Sequence, residues 1–231
     1  MFFRPEIAVA NHGESGESLR GFVGERRLAK LISAIKPGDW LVIQMGHNDQ
    51  KERGEGVGAF TTYKQSLKEF IRQAREHGAT PVLITPMNRL TFDTEGRITN
   101  SLGDYPEAVR QEGKEENVPV IDLNAMSKPF YEALGPVEAR KAFADADTTH
   151  HSNYGSYELA KVRGGGDSRT ETAACEVSCR RTAALRSGAS RSRGELRDSS
   201  RAAGRRAAPP TGNNATRLCQ LDQHGGHRKR R

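Results

Sequence analysis

The chain has 231 residues, with 36 Lys+Arg against 29 Asp+Glu and a formal net charge of +7. That average joins two unlike parts. Residues 1–161 hold 20 basic and 23 acidic side chains and every Phe, Tyr, Trp, Ile and Met, whereas residues 162–231 hold 16 basic and 6 acidic ones and no aromatic residue. No stretch reaches the roughly 18 apolar residues of a membrane span, and "MFFRPEIAVA" lacks the charged start, long apolar centre and cleavage site of a signal peptide. A soluble protein with no membrane partner is expected, cytoplasmic by default and secreted if a leader precedes this sequence.

In chain order, Ile7–Ala10 reads as a short strand, followed by the glycine-flanked loop "NHGESGESLRGF" (residues 11–22). Leu28, Leu31, Ile32 and Ile35 share one face of a helix that Pro37 and Gly38 end. Trp40–Met45 ("WLVIQM") is a second strand, and "GHND" (Gly46–Asp49) follows it. Phe60, Tyr63, Leu67, Phe70, Ile71 and Ala74 form the stripe of a second helix that stops at Gly78, and Pro81–Thr85 is a third strand. After the long loop 87–105, residues 104–117 predict a weaker helix interrupted by Gly113. Val118–Leu123 is a fourth strand, Ser127–Leu134 a short helix, and a last helix starts near Ser152–Tyr157. The near-continuous apolar strands predict coverage on both faces. The β-α-β-α-β order predicts a parallel sheet between helices, with its site at the carboxyl ends of the strands.

Three segments there carry chemistry. In "DTTH", Asp147 and His150 are three residues apart, close enough on a tight turn for the carboxylate to hold the imidazole's far nitrogen and make the histidine a general base. Taken alone, such a pair is more often the cap of a surface helix. In "GHND", the glycine lets the backbone turn and the Asn48 amide can donate to a developing oxyanion, although a polar turn would look the same. The loop 11–22 offers Ser15 and Ser18. "GESG" is a poor nucleophile elbow, because the second glycine is at the wrong offset and several loop residues separate it from the strand.

Together, in this order and spacing, "VANHGESGESLRGF", "IKPGDWLVIQMGHNDQ", "ATPVLITPMNRLTFD", "LGDYPEAVR", "VPVIDLNAMS" and "DTTHHSNYGSYELA" resemble the SGNH (GDSL-like) hydrolase superfamily, in its rhamnogalacturonan acetylesterase-like branch, from about Phe2 to Lys161. The resemblance implies a three-layer α/β/α sandwich with a parallel, flavodoxin-like sheet, and the removal of acetyl groups from plant cell-wall polysaccharide by a Ser-His-Asp mechanism. It assigns His150 as general base, Asp147 as its orienting partner, the Gly16 backbone N–H and the Asn48 side chain as oxyanion donors, and Ser15 and Ser18 as bracing residues. In the loop 87–105, Arg89 and Asn100 are candidate substrate contacts, Arg89 for a galacturonate carboxylate. No cofactor is expected. A metal site from His12, His47, His150 and His151 is a rival that the adjacent His150 and His151 disfavour.

The family opens with a strand ending in Gly-Asp-Ser, whose serine is the nucleophile. In this sequence Gly-Asp-Ser occurs only at Gly166–Ser168, beyond the histidine. The expectation is that the nucleophile block is missing and the chain by itself inactive. The vacant strand position would leave the strands 7–10 and 40–45 with unpaired edges, and the chain would be marginal or insoluble alone. A non-catalytic carbohydrate-binding remnant or a degraded gene product are the alternatives. Two domains follow: 1–161, the hydrolase-like part, and 162–231, an Arg/Gly/Ala/Ser-rich tail. With six large aliphatics in 70 residues the tail is expected to be disordered, and its abrupt change of residue usage suits a frameshift. It lacks the aromatic residues that stack on bases, so no specific nucleic-acid partner is expected. Cys175, Cys179 and Cys219, with His224 and His227, fit no compact zinc spacing.

Overall fold

The computed structural model describes residues 7–161 and the backbone of residues 216–222. Gly166–Ser168, Cys175, Cys179, His224 and His227 lie outside the described residues, as does most of the tail for which disorder is expected.

The strands are β1 (Ile7–Asn11), β2 (Trp40–Gln44), β3 (Thr80–Ile84), β4 (Val120–Ile121) and β5 (Thr216–Asp222). They form one parallel sheet in the order β1-β5-β2-β3-β4. The helices are α1 (Leu19–Gly24), α2 (Arg27–Ala34), α3 (Lys64–Glu76), α4 (Tyr105–Glu115), α5 (Leu123–Glu138) and α6 (Asn153–Lys161). The α/β class with a parallel sheet flanked by helices is therefore as expected. Among the described residues no helix is long and apolar enough to cross a membrane.

One core joins α1–α4 to the sheet. Leu28, Leu31 and Ile32 of α2 and Leu67, Phe70, Ile71 and Ala74 of α3 are buried with Leu41, Ile43 and Leu83 of the strands, as their 3.6-residue spacing requires. Burial of side chains of this size removes roughly 1.5–3 kcal/mol of unfavourable hydration each. A second core gathers Met87, Ile98, Tyr131, Phe143 and Leu159 under α5 and α6. It carries the segment that holds Asp147 and His150.

Four expectations are corrected. Phe60 is exposed, because Ala59–Tyr63 forms a wide π-type turn ahead of α3 and departs from the helical period. Gly113 does not interrupt α4. A β-carbon there would stand 2.1 Å from Val120 Cγ2, so glycine serves the close approach of helix and strand. The helix after β4 is longer than residues 127–134: Asp122 caps its first turn by accepting from the Ala125 N–H at 3.1 Å, and it breaks only at Gly135 (φ 71°). Burial of the strands on both faces fails at β1, where Val9 is 47% exposed.

The largest difference concerns the strand position between β1 and β2. It is not vacant: Thr216–Asp222 runs parallel to both neighbours, with Ala10 opposite Cys219 and Leu41 opposite the same residue on the other side. Composition averaged over the 70 residues of the tail gave no expectation of a strand there, but "TRLCQLD" has three apolar residues in seven, enough for one strand in a slot that supplies both ladders.

Candidate active site

The loops at the carboxyl ends of β1, β2 and β3 meet the turn ahead of α6. In the first loop, Ser15 and Gly16 are the central residues of a turn from Glu14 to Glu17, and Gly16 has φ 86°. That backbone suits the third position of a type II turn, which a side chain would strain. Ser18 starts α1. Its Oγ accepts from the Gly21 N–H at 3.0 Å and donates to Glu52, and the residue is 8% exposed. A hydroxyl so engaged braces the loop, as expected, and is a poor nucleophile.

After β2, Gly46 has φ 134°, and a β-carbon there would meet Pro86 Cγ at 2.9 Å. Only glycine passes so close with that backbone. The next residue, His47, is buried, and its Nε2–H donates to the Met87 carbonyl at 3.0 Å. Asn48 turns its amide to the first loop, Nδ2 donating to the Glu17 carbonyl at 3.1 Å, while its Oδ1 accepts from Lys51 Nζ at 2.8 Å. An Asn amide has two hydrogens, and Glu17 takes one. The Asn48 amide is thus fixed beside the Gly16 turn.

Asp49 completes this link. Its Oδ1 accepts from the Leu19 N–H at 2.8 Å, at 4% exposure. Burial outweighs the backbone hydrogen bonds it receives and pushes its carboxyl up to about 6. Below the unfolded value near 3.8 the group is protonated in both states. Between 3.8 and 6 the unfolded chain ionises first, so stability falls as pH rises. Asp49→Asn keeps an acceptor for Leu19 and removes this titration. In urea unfolding the variant should gain on the parent from pH 4 to pH 6, by up to about 3 kcal/mol; a gap that does not change with pH would refute the assignment.

The turn ahead of α6 is built on Asp147. Its Oδ1 accepts from the backbone N–H groups of Thr149 (2.6 Å) and His150 (2.9 Å), and its Oδ2 accepts from His150 Nδ1–H at 2.6 Å. Partial burial opposes the charge, but the two backbone donors and the imidazole prevail, so the carboxyl is held well below its usual range. With Nδ1–H given to the carboxylate, His150 has Nε2 as its basic atom. The cap of α6 is not this pair: Ser152 Oγ accepts from the Gly155 N–H at 3.1 Å. The helix-cap alternative for Asp147 and His150 is thereby set aside.

Arg89 joins the two halves. Its Nε donates to Thr149 Oγ1 at 3.2 Å, one terminal nitrogen to the His47 carbonyl at 3.1 Å and the other to the Ser101 carbonyl at 3.0 Å. The Leu90 N–H adds a bond to the Thr148 carbonyl at 2.8 Å. The guanidinium expected to reach for substrate is turned into the protein, between "GHND" and "DTTH". Sequence reasoning missed this bracing role and those of Thr148 and Thr149; the one signal for it was an arginine shortly after a strand end, which is equally common on a surface loop. Asn100 is exposed, with Nδ2 donating to the Gly103 carbonyl at 3.2 Å and Oδ1 accepting from the Leu102 N–H. It lines a half-open groove of about 310 Å³ with Asn88, Asn124 and Lys128.

Three of the four histidines of the rival metal site are engaged by groups other than one another. His47 serves Met87, His150 serves Asp147, and His151 Nε2 meets the Tyr131 hydroxyl at 2.5 Å with its ring 4.4 Å from that of Phe143. Among the described residues no three His, Cys, Asp or Glu side chains could hold a metal ion.

The Asp147–His150 pair, the Asn48 amide and the Gly16 turn thus lie on loops at the carboxyl end of a parallel α/β sheet, where the sites of such sheets form. Residues 4–157 match the GDSL-like Lipase/Acylhydrolase family, and the chain belongs to it. It is similar to the rhamnogalacturonan acetylesterase RhgT of Bacillus subtilis (strain 168), 42% identical over 70% of this chain and 75% of that one. It is also similar to the probable rhamnogalacturonan acetylesterase YesY of the same organism, 41% identical over 68% of this chain and 74% of that one. Among solved structures, the protein YxiM of B. subtilis superposes with a TM-score of 0.56 at 30% identity, over 64% of this chain and 41% of that chain.

Proposed function

We propose that the chain is a carbohydrate esterase of the SGNH type, whose substrate is an acetylated polysaccharide or oligosaccharide of the rhamnogalacturonan kind. The observation that carries the reading is the Asp147–His150 bond at 2.6 Å, held by one arginine against the loop that presents Asn48. His150 Nε2 takes the proton of a serine hydroxyl as it attacks the acetyl carbonyl, and Asp147 stabilises the imidazolium. The Gly16 N–H and Asn48 Nδ2 receive the negative charge that develops on the carbonyl oxygen. His150 returns the proton to the departing sugar hydroxyl, and water then releases acetate by the same route. The similarity to RhgT and YesY supports the substrate class. Asn100 is a candidate contact for the sugar, whereas Arg89 acts on the site by positioning its loops.

In this reading the fold is a three-layer α/β/α sandwich whose nucleophile-bearing first strand is not in this chain, and the 231 residues alone are inactive. Acetate release from acetylated rhamnogalacturonan tests both parts. The chain alone should give none above background, and a version extended ahead of Met1 by a strand ending in Gly-Asp-Ser and ended at Lys161, so that Thr216–Asp222 cannot occupy that strand's place, should give turnover. Activity of the chain alone would overturn the inactivity. A folded extended version without turnover would overturn the esterase reading.

A further inference from the structure

The position of β5 is that of a central strand with two ladders. On one side Ile7–Asn11 faces Thr216–Gln220, and on the other Trp40–Gln44 faces Leu218–Asp222. Among the described residues β1 pairs with no other strand, so β1 belongs to the sheet through β5. An empty slot would leave the facing N–H and C=O groups of β1 and β2 without ladder partners, and backbone groups kept from water without a partner are destabilising. Two fixed backbone edges a strand's width apart bind an extended segment through its main chain, with little demand on its sequence. The segment that fills the slot comes from the far end of the chain, beyond residues 162–215, and from its least sheet-like part by composition.

We propose that the position between β1 and β2 is a strand-acceptor site, which the chain closes with its own Thr216–Asp222. The tail therefore competes with any other extended segment for that place. The strand bearing Gly-Asp-Ser is one such competitor, a consequence that rests on the proposed function; the acceptor site itself does not. Held there, Thr216–Asp222 is a plug at the position from which a nucleophile would be presented.

The test uses the full chain. In a variant with Cys175→Ser and Cys179→Ser, Cys219 is the only remaining thiol, and Ala10→Cys places a second one directly opposite it in register. Neighbouring strands are about 4.8 Å apart, within the span a disulfide bridges. Mild oxidation should give an intrachain 10–219 disulfide, identified by mass spectrometry of the digest. With Ala8→Cys in place of Ala10→Cys, the two-residue offset carries the pair beyond about 7 Å, and the bond should form poorly. Equal yields at positions 8 and 10, no bond at either, or a bond between chains would overturn the closure by the chain's own segment. As an independent reading, Leu218→Pro removes a ladder donor from a strand paired on both edges. It should speed deuterium exchange of the Ile7–Asn11 amides by at least about tenfold, while Leu67–Ala74 in α3 keep their protection. Unchanged protection of Ile7–Asn11 would refute the site. Should that variant unfold altogether, the disulfide decides. A 10–219 disulfide in the full chain, together with no esterase activity from the folded extended version ended at Lys161, would reject the proposed function and leave the acceptor site standing.

Discussion

Replacing Asp147 with asparagine is expected to lower ester turnover about 10⁴-fold in the version of the chain that carries a Gly-Asp-Ser strand, with little change in KM. The reason is the proton on His150. Asp147 accepts from Nδ1–H at 2.6 Å and so leaves Nε2 basic. The amide nitrogen of an asparagine in the same place donates, which favours the opposite tautomer and leaves the histidine unable to take the serine's proton. The amide oxygen of that asparagine can still accept from the N–H groups of Thr149 and His150, as Asp147 Oδ1 does. The turn should then persist, and Tm should fall only slightly. Asp147→Ala, which also removes those two bonds, should lose both activity and the order of the turn. An Asp147→Asn protein within tenfold of its parent would remove Asp147 from the mechanism. Asp147 is ionised throughout the neutral range, since its hydrogen bonds hold its carboxyl low, so the loss should be the same at every pH where the parent works.

The second large effect is structural. A β-carbon at Gly155 would lie 1.9 Å from the Ala142 carbonyl oxygen and 2.7 Å from its carbon. Those atoms are backbone, and the same carbonyl accepts from the Ser152 N–H at 3.0 Å, so they cannot move aside without breaking the turn ahead of α6. Gly155→Ala should therefore destabilise the protein by about 3 kcal/mol, at the upper end of overpacking costs. The second core, with Tyr131, Phe143 and Leu159, should loosen first, and the turn carrying His150 with it. Chemical unfolding measures the change, and a loss below about 0.5 kcal/mol, the range of a neutral surface substitution, would show that α6 does not press on Ala142 as described.

Gly155 also marks where reading along the chain stops. In sequence it is one glycine in "SNYGSYE" near the start of a helix, where a glycine usually lowers helix propensity. Its reason for being there is a carbonyl thirteen residues away, which no local period shows. Gly113 is the same case: a break in the pattern of α4 by propensity, a contact with Val120 in the fold. Arg89 is a third. Its charge and its place after β3 suggested a hand for an acidic substrate, while the three carbonyl and hydroxyl oxygens that it binds lie 12, 42 and 60 residues away. By contrast, the Asp147–His150 pair was legible because its geometry is local. Three residues on one turn are enough to bring a carboxylate to an imidazole.

The same division holds for the whole protein. Hydrophobic period and turn residues by themselves determined the α/β class, the first four strands to within about two residues and the faces of α2 and α3, because burial of a stripe or a strand depends on neighbours a few positions away. The three segments of the candidate site were equally visible, since each follows a strand or precedes a helix in a way that backbone geometry dictates. Only the tertiary structure decided what sits between β1 and β2. A strand's partners are chosen by which edges are open in the folded sheet, and a ladder rewards any backbone that reaches it. Seven residues from a tail whose composition argues against folding could therefore be recognised as β5 only once both edges of that slot were in place.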